Sequence, residues 1–126
     1  MKNTNKNHQN QHIPVLLSEV LECLNPKLGE SYLDLTAGYG GHAEEVLDRT
    51  KSPTETVLVD RDQNATEYLA GKFGDVSEII QDDFLNASKD LLSRNKHFDL
   101  ILADLGVSSP HLDNPSRGFS IRKDGP

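Results

Sequence analysis

The fold is decided by Ser31-Tyr-Leu-Asp-Leu-Thr36, which runs directly into Ala37-Gly-Tyr-Gly-Gly41 and His42. The first six residues read as a short strand, and the glycines read as a turn. His42 to Arg49 reads as a helix with Ala43, Val46 and Leu47 on one face. A strand, a glycine bend and a helix make the opening half of a βαβ unit. Thr56-Val-Leu-Val-Asp60 completes it with a nearly continuous apolar run, the pattern of a strand buried on both faces.

The same alternation continues downstream. Asp62 to Lys72 reads as a helix with Ala65, Tyr68 and Leu69 inward and Asp62 as its cap. Val76 to Ile80 is a third strand, Phe84 to Arg94 a third crossover helix, and Phe98 to Asp104 a fourth strand. From Gly106 onward the chain reads as turn residues without a period. Upstream, Pro14 suits a first helical turn, and Val15, Leu16, Val20, Leu21 and Leu24 recur at helical spacing until Asn25-Pro26 stops them. Cys23 lies in that segment and reads as a small buried hydrophobe. Residues 1–12, rich in Asn, Gln and Lys, read as a disordered polar tail. The expected fold class is therefore α/β, with a parallel sheet of about four strands, half of a doubly wound sheet. The last residues, Lys-Asp-Gly-Pro126, fall in an irregular stretch. We expect residues 13–126 to be the N-terminal part of a longer protein, or a truncated gene product, with the rest of the doubly wound sheet absent.

Composition narrows the function. The 126 residues carry 13 Lys+Arg against 20 Asp+Glu, a formal charge of −7. The tail holds Lys2 and Lys6 and no acid, so the body is more acidic still. Broad non-specific nucleic-acid binding, which runs on phosphate neutralisation, is disfavoured; a shaped local site is not. No apolar run approaches the roughly 20 residues of a membrane span, and the N-terminus lacks an apolar leader segment. One cysteine makes no internal disulfide and no zinc knuckle. A cytoplasmic protein without a metal site is expected.

In an open α/β sheet, ligands bind beyond the carboxyl ends of the strands. Four segments converge there. Asp34 precedes the loop whose glycines, Gly38, Gly40 and Gly41, let backbone approach a ligand and open a helix with free N–H groups. Asp60 ends strand two, where a carboxylate can accept hydrogen bonds from a ribose diol. Asp82-Asp83-Phe84 follows strand three, with acids to meet an adenine amino group and a ring to stack on the base. Asp104-Leu-Gly106 follows strand four. Gly38-x-Gly40-x-x-Ala43 with Asp60 also fits the dinucleotide fingerprint, which leaves half of an NAD-type dehydrogenase as an alternative. Asp34 and Asp104 would repel a pyrophosphate, however. They suit S-adenosylmethionine, which carries an ammonium and a sulfonium and no phosphate. Plainer roles stand beside these: Asp34 bonding loop N–H groups, His42 giving backbone rather than imidazole, Phe84 as core, Asp82 and Asp83 as a solvated capping pair, Ser108 and Ser109 as turn formers.

Residues 12–126 resemble the N-terminal part of the RsmH/MraW family of 16S rRNA (cytosine-N4) methyltransferases. The resemblance is carried by HIPVLLSEVLECLNP, DLTAGYGGH, VDRD and, above all, DLGVSSPHLDNPSRGFSIRKDGP. It implies a Rossmann-like S-adenosylmethionine-dependent core and methyl transfer to N4 of a cytidine in the decoding region of 16S rRNA, with the small ribosomal subunit as partner. It also implies that Gly40, Gly41, His42, Asp60, Phe84, Asp104 and His111 hold the cofactor. His111 stands where the family usually has Gln, and Ala37 where an aromatic is common. Asp104 is the candidate acceptor at the reacting centre, with Ser108 and Ser109 behind it; Arg117, Arg122 and Lys123 are candidates for RNA phosphate. The resemblance further implies that residues 13–126 are a partial methyltransferase domain, with the family's substrate domain and remaining strands absent; a non-catalytic fragment that binds only cofactor or a partner is the other reading.

Overall fold

The computed structural model describes residues 17–104 in full and the backbone of 118–122. Helix α1 spans Leu17–Leu24, strand β1 Tyr32–Asp34 and helix α2 Gly41–Thr50. A short 3₁₀ turn at Pro53–Glu55 leads into β2, Thr56–Asp60. Helix α3 (Gln63–Lys72), strand β3 (Glu78–Gln81), helix α4 (Phe84–Ser93) and strand β4 (Leu100–Asp104) follow, and β5 covers Gly118–Arg122.

The sheet order is β3-β2-β1-β4-β5. The first four strands are mutually parallel, with Leu33 paired to Val57 on one side and to Ile101 on the other. Strand β5 runs antiparallel to β4, with Ala103 opposite Phe119. This corrects the reading of everything after Gly106 as turns, and the sheet has a fifth strand. Gly-Phe-Ser-Ile-Arg does alternate apolar with other residues. Five residues flanked by Pro, Ser, Arg and Gly give too short a period to stand out, and pairing with β4 decides the matter.

Two apolar clusters lie on opposite faces of the sheet. Tyr32, Leu58, Leu100 and Leu102 join Leu24 of α1, Ala43 and Val46 of α2, and Leu69 and Phe73 in and after α3. Leu33, Val57, Val59 and Ala103 join Ala87 and Leu91 of α4, with Phe98. Alternate residues of each strand thus feed different cores, as the period-2 geometry of strands requires. The order explains the site. The chain moves outward from β1 to β2 to β3 on one face, then crosses under α4 to β4 on the other side of β1. The direction in which the chain adds strands therefore reverses between the neighbouring strands β1 and β4, a switch point of the kind at whose carboxyl side open α/β sheets bind ligands.

Local expectations fare unevenly. Strand β2 has the predicted limits, and Asp62 caps α3 by accepting from the Asn64 N–H at 3.0 Å. Ala65 and Leu69 are buried, but Tyr68 is 46% exposed rather than inward. Cys23 is exposed on α1, not buried. The helix faces the core with Val20, Leu21 and Leu24, and position 23 falls off that stripe. The tail and the helix start at Pro14 lie outside the described residues.

Candidate functional site

The glycine loop is built from backbone constraints. Gly38 has φ +57° and Gly40 φ +85°, left-handed values at which a Cβ is strained. The Gly40 N–H donates to the Ala37 carbonyl at 2.9 Å, closing the turn, and the Ala37 N–H donates to the Val59 carbonyl at 2.8 Å, tying it to β2. A Cβ on Gly40 would also run into the Phe73 ring and Leu69. Gly40 thus serves helix packing as well as any ligand. It is the N-cap of α2 and offers no side chain to the first turn. The other two crossover helices differ: Asp62 caps α3, and Asp83 caps α4 by accepting from Asn86 N–H at 2.8 Å. The positive end of α2, opening at Gly41 and His42, faces the switch point without a capping carboxylate.

Three carboxylates stand at the ends of three neighbouring strands. Asp34 ends β1 with only 1% of its surface exposed. Its Oδ2 accepts from the Tyr32 hydroxyl at 2.7 Å and its Oδ1 from the Thr36 N–H at 3.1 Å. Burial pushes its carboxyl up to about 7, opposed by those two hydrogen bonds and reinforced by the charges of Asp60 and Asp104. The Tyr32 hydroxyl is raised well above its ordinary value, first by burial and then by Asp34, so it stays a donor. Asp60 ends β2. Its Oδ2 accepts from Gly38 N–H at 2.8 Å and its Oδ1 from Asp62 N–H at 2.9 Å. Each oxygen keeps a second lone pair, enough for two further donors. Asp104 ends β4, exposed, with its N–H donating to Thr36 Oγ1 at 2.6 Å.

His42 sits in the first turn of α2, 9% exposed, and its buried Nε2 has no hydrogen-bond partner among the described residues. Burial lowers its pKa, partly offset by Asp104, so the ring is neutral at pH 7. An orphaned buried nitrogen is costly unless something meets it. Phe84 opens α4 after β3 and is 42% exposed, so it is not core and its ring is available. Asp82 accepts from Asp83 N–H at 2.8 Å, which fits the expected capping pair.

Gly40, Gly41, His42, Asp60 and Asp104 thus gather around the carboxyl ends of β1, β2 and β4, and Phe84 lies beyond β3. His111, Ser108, Ser109, Arg117 and Lys123 lie outside the described residues, as does the Arg122 side chain. Sequence reasoning gave no role to Tyr32 or to the Thr36 hydroxyl. Tyr32 was readable in principle, since Tyr32 and Asp34 are two apart on a strand and so share a face; the Thr36 hydroxyl, whose partner lies 68 residues on, was not.

The sequence matches the MraW methylase family over residues 9–126. The chain belongs to that family. It is similar to the ribosomal RNA small subunit methyltransferase H of Mycoplasmopsis agalactiae, 44% identical over 120 residues that make up 92% of this chain and 40% of the relative. The protein of the same name from Mycoplasma capricolum is 46% identical over 121 residues, 92% of this chain and 39% of the relative. A 12S rRNA N(4)-cytidine methyltransferase from Pongo abelii is 40% identical over 91% of this chain and 30% of its own length. This chain of the MraW family therefore spans about 40% of the length of its bacterial relatives. Among solved structures, a putative methyltransferase from Escherichia coli superposes with a TM-score of 0.51 at 15% identity, covering 77% of this chain and 78% of that one. That likeness establishes the shared fold. Among the described residues no helix is long and apolar enough to cross a membrane.

Proposed function

We propose that this chain supplies the S-adenosylmethionine-binding part of a cytoplasmic enzyme that methylates N4 of a cytidine in the decoding region of 16S rRNA, within the small ribosomal subunit. The observation that carries the cofactor assignment is the gathering of Asp34, Asp60 and Asp104 at adjoining strand ends. No ion pair to a lysine or arginine offsets Asp34 or Asp60 among the described residues. Such a site repels a pyrophosphate and attracts a cation. The names of the rRNA methyltransferase relatives supply the substrate class.

The donors and acceptors present fit this cofactor. Spare lone pairs on Asp60 suit a ribose diol, the uncapped N–H groups of α2 suit a carboxylate, and the Phe84 ring suits a purine face. His111 is the further contact that the family likeness suggests. When bound, S-adenosylmethionine supplies a methyl group activated by positive sulfur. The chain's own contribution is positional. The lone pair of an exocyclic cytosine amine is delocalised into the ring, so the nitrogen is a poor nucleophile. A carboxylate that accepts one of its N–H bonds localises that pair and fixes its direction. This role is assigned to Asp104, whose backbone N–H donates to Thr36 Oγ1. Orientation of this kind can supply much of a rate enhancement. The methylated amine sheds its extra proton to water, so no perturbed general base is required. The cytidine must be turned out of its stack to arrive.

Isothermal titration with S-adenosylmethionine, beside methyl transfer to small subunits lacking the modification, tests this reading. Saturable binding with transfer is expected. Binding without transfer would leave the chain a cofactor-holding piece. Stabilisation by NADH in place of S-adenosylmethionine would overturn the assignment in favour of a dinucleotide.

A further inference from the structure

The reading above treats the strand-end acids as fixed charges, but one of them is not placed like the others. Asp34 is almost wholly enclosed, while Asp60 is half-buried and Asp104 exposed. A carboxylate taken out of water to that degree is tolerated only when its lone pairs are met and its charge is balanced. Asp34 has two donors, the Tyr32 hydroxyl at 2.7 Å and the Thr36 N–H at 3.1 Å. The titratable groups that act on it among the described residues are Tyr32 on its own strand, Asp60 at the end of β2 and Asp104 at the end of β4. From α2, His42 is neutral and is acted on by Asp104. Among the described residues, every charge bearing on Asp34 is therefore negative, and its two neutral donors cannot compensate.

We propose that Asp34 is a charge-adjusting positioning residue: it holds a proton while the crevice is empty and gives it up when a cation enters, so that the pocket becomes more negative only when it is filled. The proposal rests on the crevice taking a cationic sulfur nucleoside. The logic is one of linkage. A net positive ligand beside the three carboxylates cancels the repulsion from Asp60 and Asp104, favours ionised Asp34 and expels its proton. A ligand of zero net charge, such as S-adenosylhomocysteine, does so far less. Buried with its resting charge near half at neutral pH, Asp34 is poised where a modest field tips it. The Tyr32 hydroxyl sets how readily it tips, because its hydrogen bond favours the ionised form.

The consequence is a preference for charged donor over neutral product that depends on pH. Below neutrality, each bound S-adenosylmethionine displaces close to one proton, and affinity climbs with pH by up to about tenfold per unit. Above pH 8, Asp34 is already ionised and the slope vanishes. The neutral analogue shows a shallow slope throughout.

The test is calorimetric titration of the full chain with S-adenosylmethionine and with S-adenosylhomocysteine, at pH 6, 7 and 8, in buffers of different ionisation enthalpy. That comparison counts protons directly. Proton release with the methyl donor at pH 6–7, absent in Asp34→Asn, supports the proposal. Tyr32→Phe, which removes only a hydroxyl, should move the release to higher pH, and it serves if Asp34→Asn does not fold. Tight binding with no proton release at any pH overturns the role of Asp34 and leaves the cofactor assignment intact. Failure of both nucleosides to bind overturns the cofactor assignment, and the Asp34 role with it.

Discussion

Asp34 and Asp99 flank the same pair of strands at opposite ends, and they are solved in opposite ways. At the amino end, Asp99 Oδ2 accepts from both the N–H and the hydroxyl of Ser31, at 2.9 and 3.1 Å. The Ser31 hydroxyl accepts in turn from Asp99 N–H at 2.8 Å, and Leu100 N–H donates to the Ser31 carbonyl at 3.0 Å. That corner is a closed, reciprocal clasp between the leads into β1 and β4. At the carboxyl end, Asp34 is more deeply buried, has the same number of donors and faces two more carboxylates. His42 leaves a buried nitrogen unmet there, and α2 begins without a side-chain cap. One end of the sheet spends its polar groups on holding the strands together. The other leaves His42 Nε2 unmet among the described residues and spare lone pairs on Asp60, which is what a binding site requires.

Substitutions should separate the two ends. The largest effect belongs to Asp60→Ala, which removes the acceptor for a diol and the tether on Gly38 N–H. Affinity for S-adenosylmethionine should fall about a hundredfold by titration, the worth of two hydrogen bonds to a charged group. Gly40→Ala should lower unfolding free energy by about 2–3 kcal/mol in urea, from left-handed backbone strain and collision with Phe73. Third, Asp34 contributes a pH dependence of known sign. Its folded value near 7 exceeds the ordinary carboxylate value, so its contribution is fully present below about pH 4 and lost as pH rises through 7. Wild type should lose this contribution over that window, and Asp34→Asn should not show the loss. Asp99→Ala should cost about 1–1.5 kcal/mol of stability with affinity for the methyl donor unchanged; a matching loss of affinity would erase the distinction between the ends. Phe84→Ala should change stability by less than about 0.5 kcal/mol, as its ring is largely exposed, while weakening nucleoside binding.

The two ends also differ in how far the sequence exposed them. Strand β2 and the caps Asp62 and Asp83 were legible because the signals are local: an unbroken apolar run and an acid just before a helix. The glycine loop was legible for the same reason. What escaped depends on partners far along the chain. Ser31 and Asp99 are 68 residues apart, as are Thr36 and Asp104, and no local period announces such pairs. Strand β5 owes its state to β4, and Tyr68 turns outward to pack against Tyr39, ring centres 5.1 Å apart and planes tilted by 55°, instead of entering the core. The roll of strand-end acids was visible in sequence; the depth of Asp34 and the lack of a partner for His42 Nε2 among the described residues came only with packing.

The outer rims of the sheet bear on solubility. Strand β5 occupies the flank of β4, so among the described residues the sheet ends on β5 and β3. Strand β3 is four residues long, and Glu78 on it is gripped by Arg94, which also reaches Asp90. A short rim carrying a fixed charge is a poor template for a strand from a neighbouring molecule. Neutralising Glu78 would thus be felt first in crowded solution, as sticking between copies, well before any change in how a single copy folds.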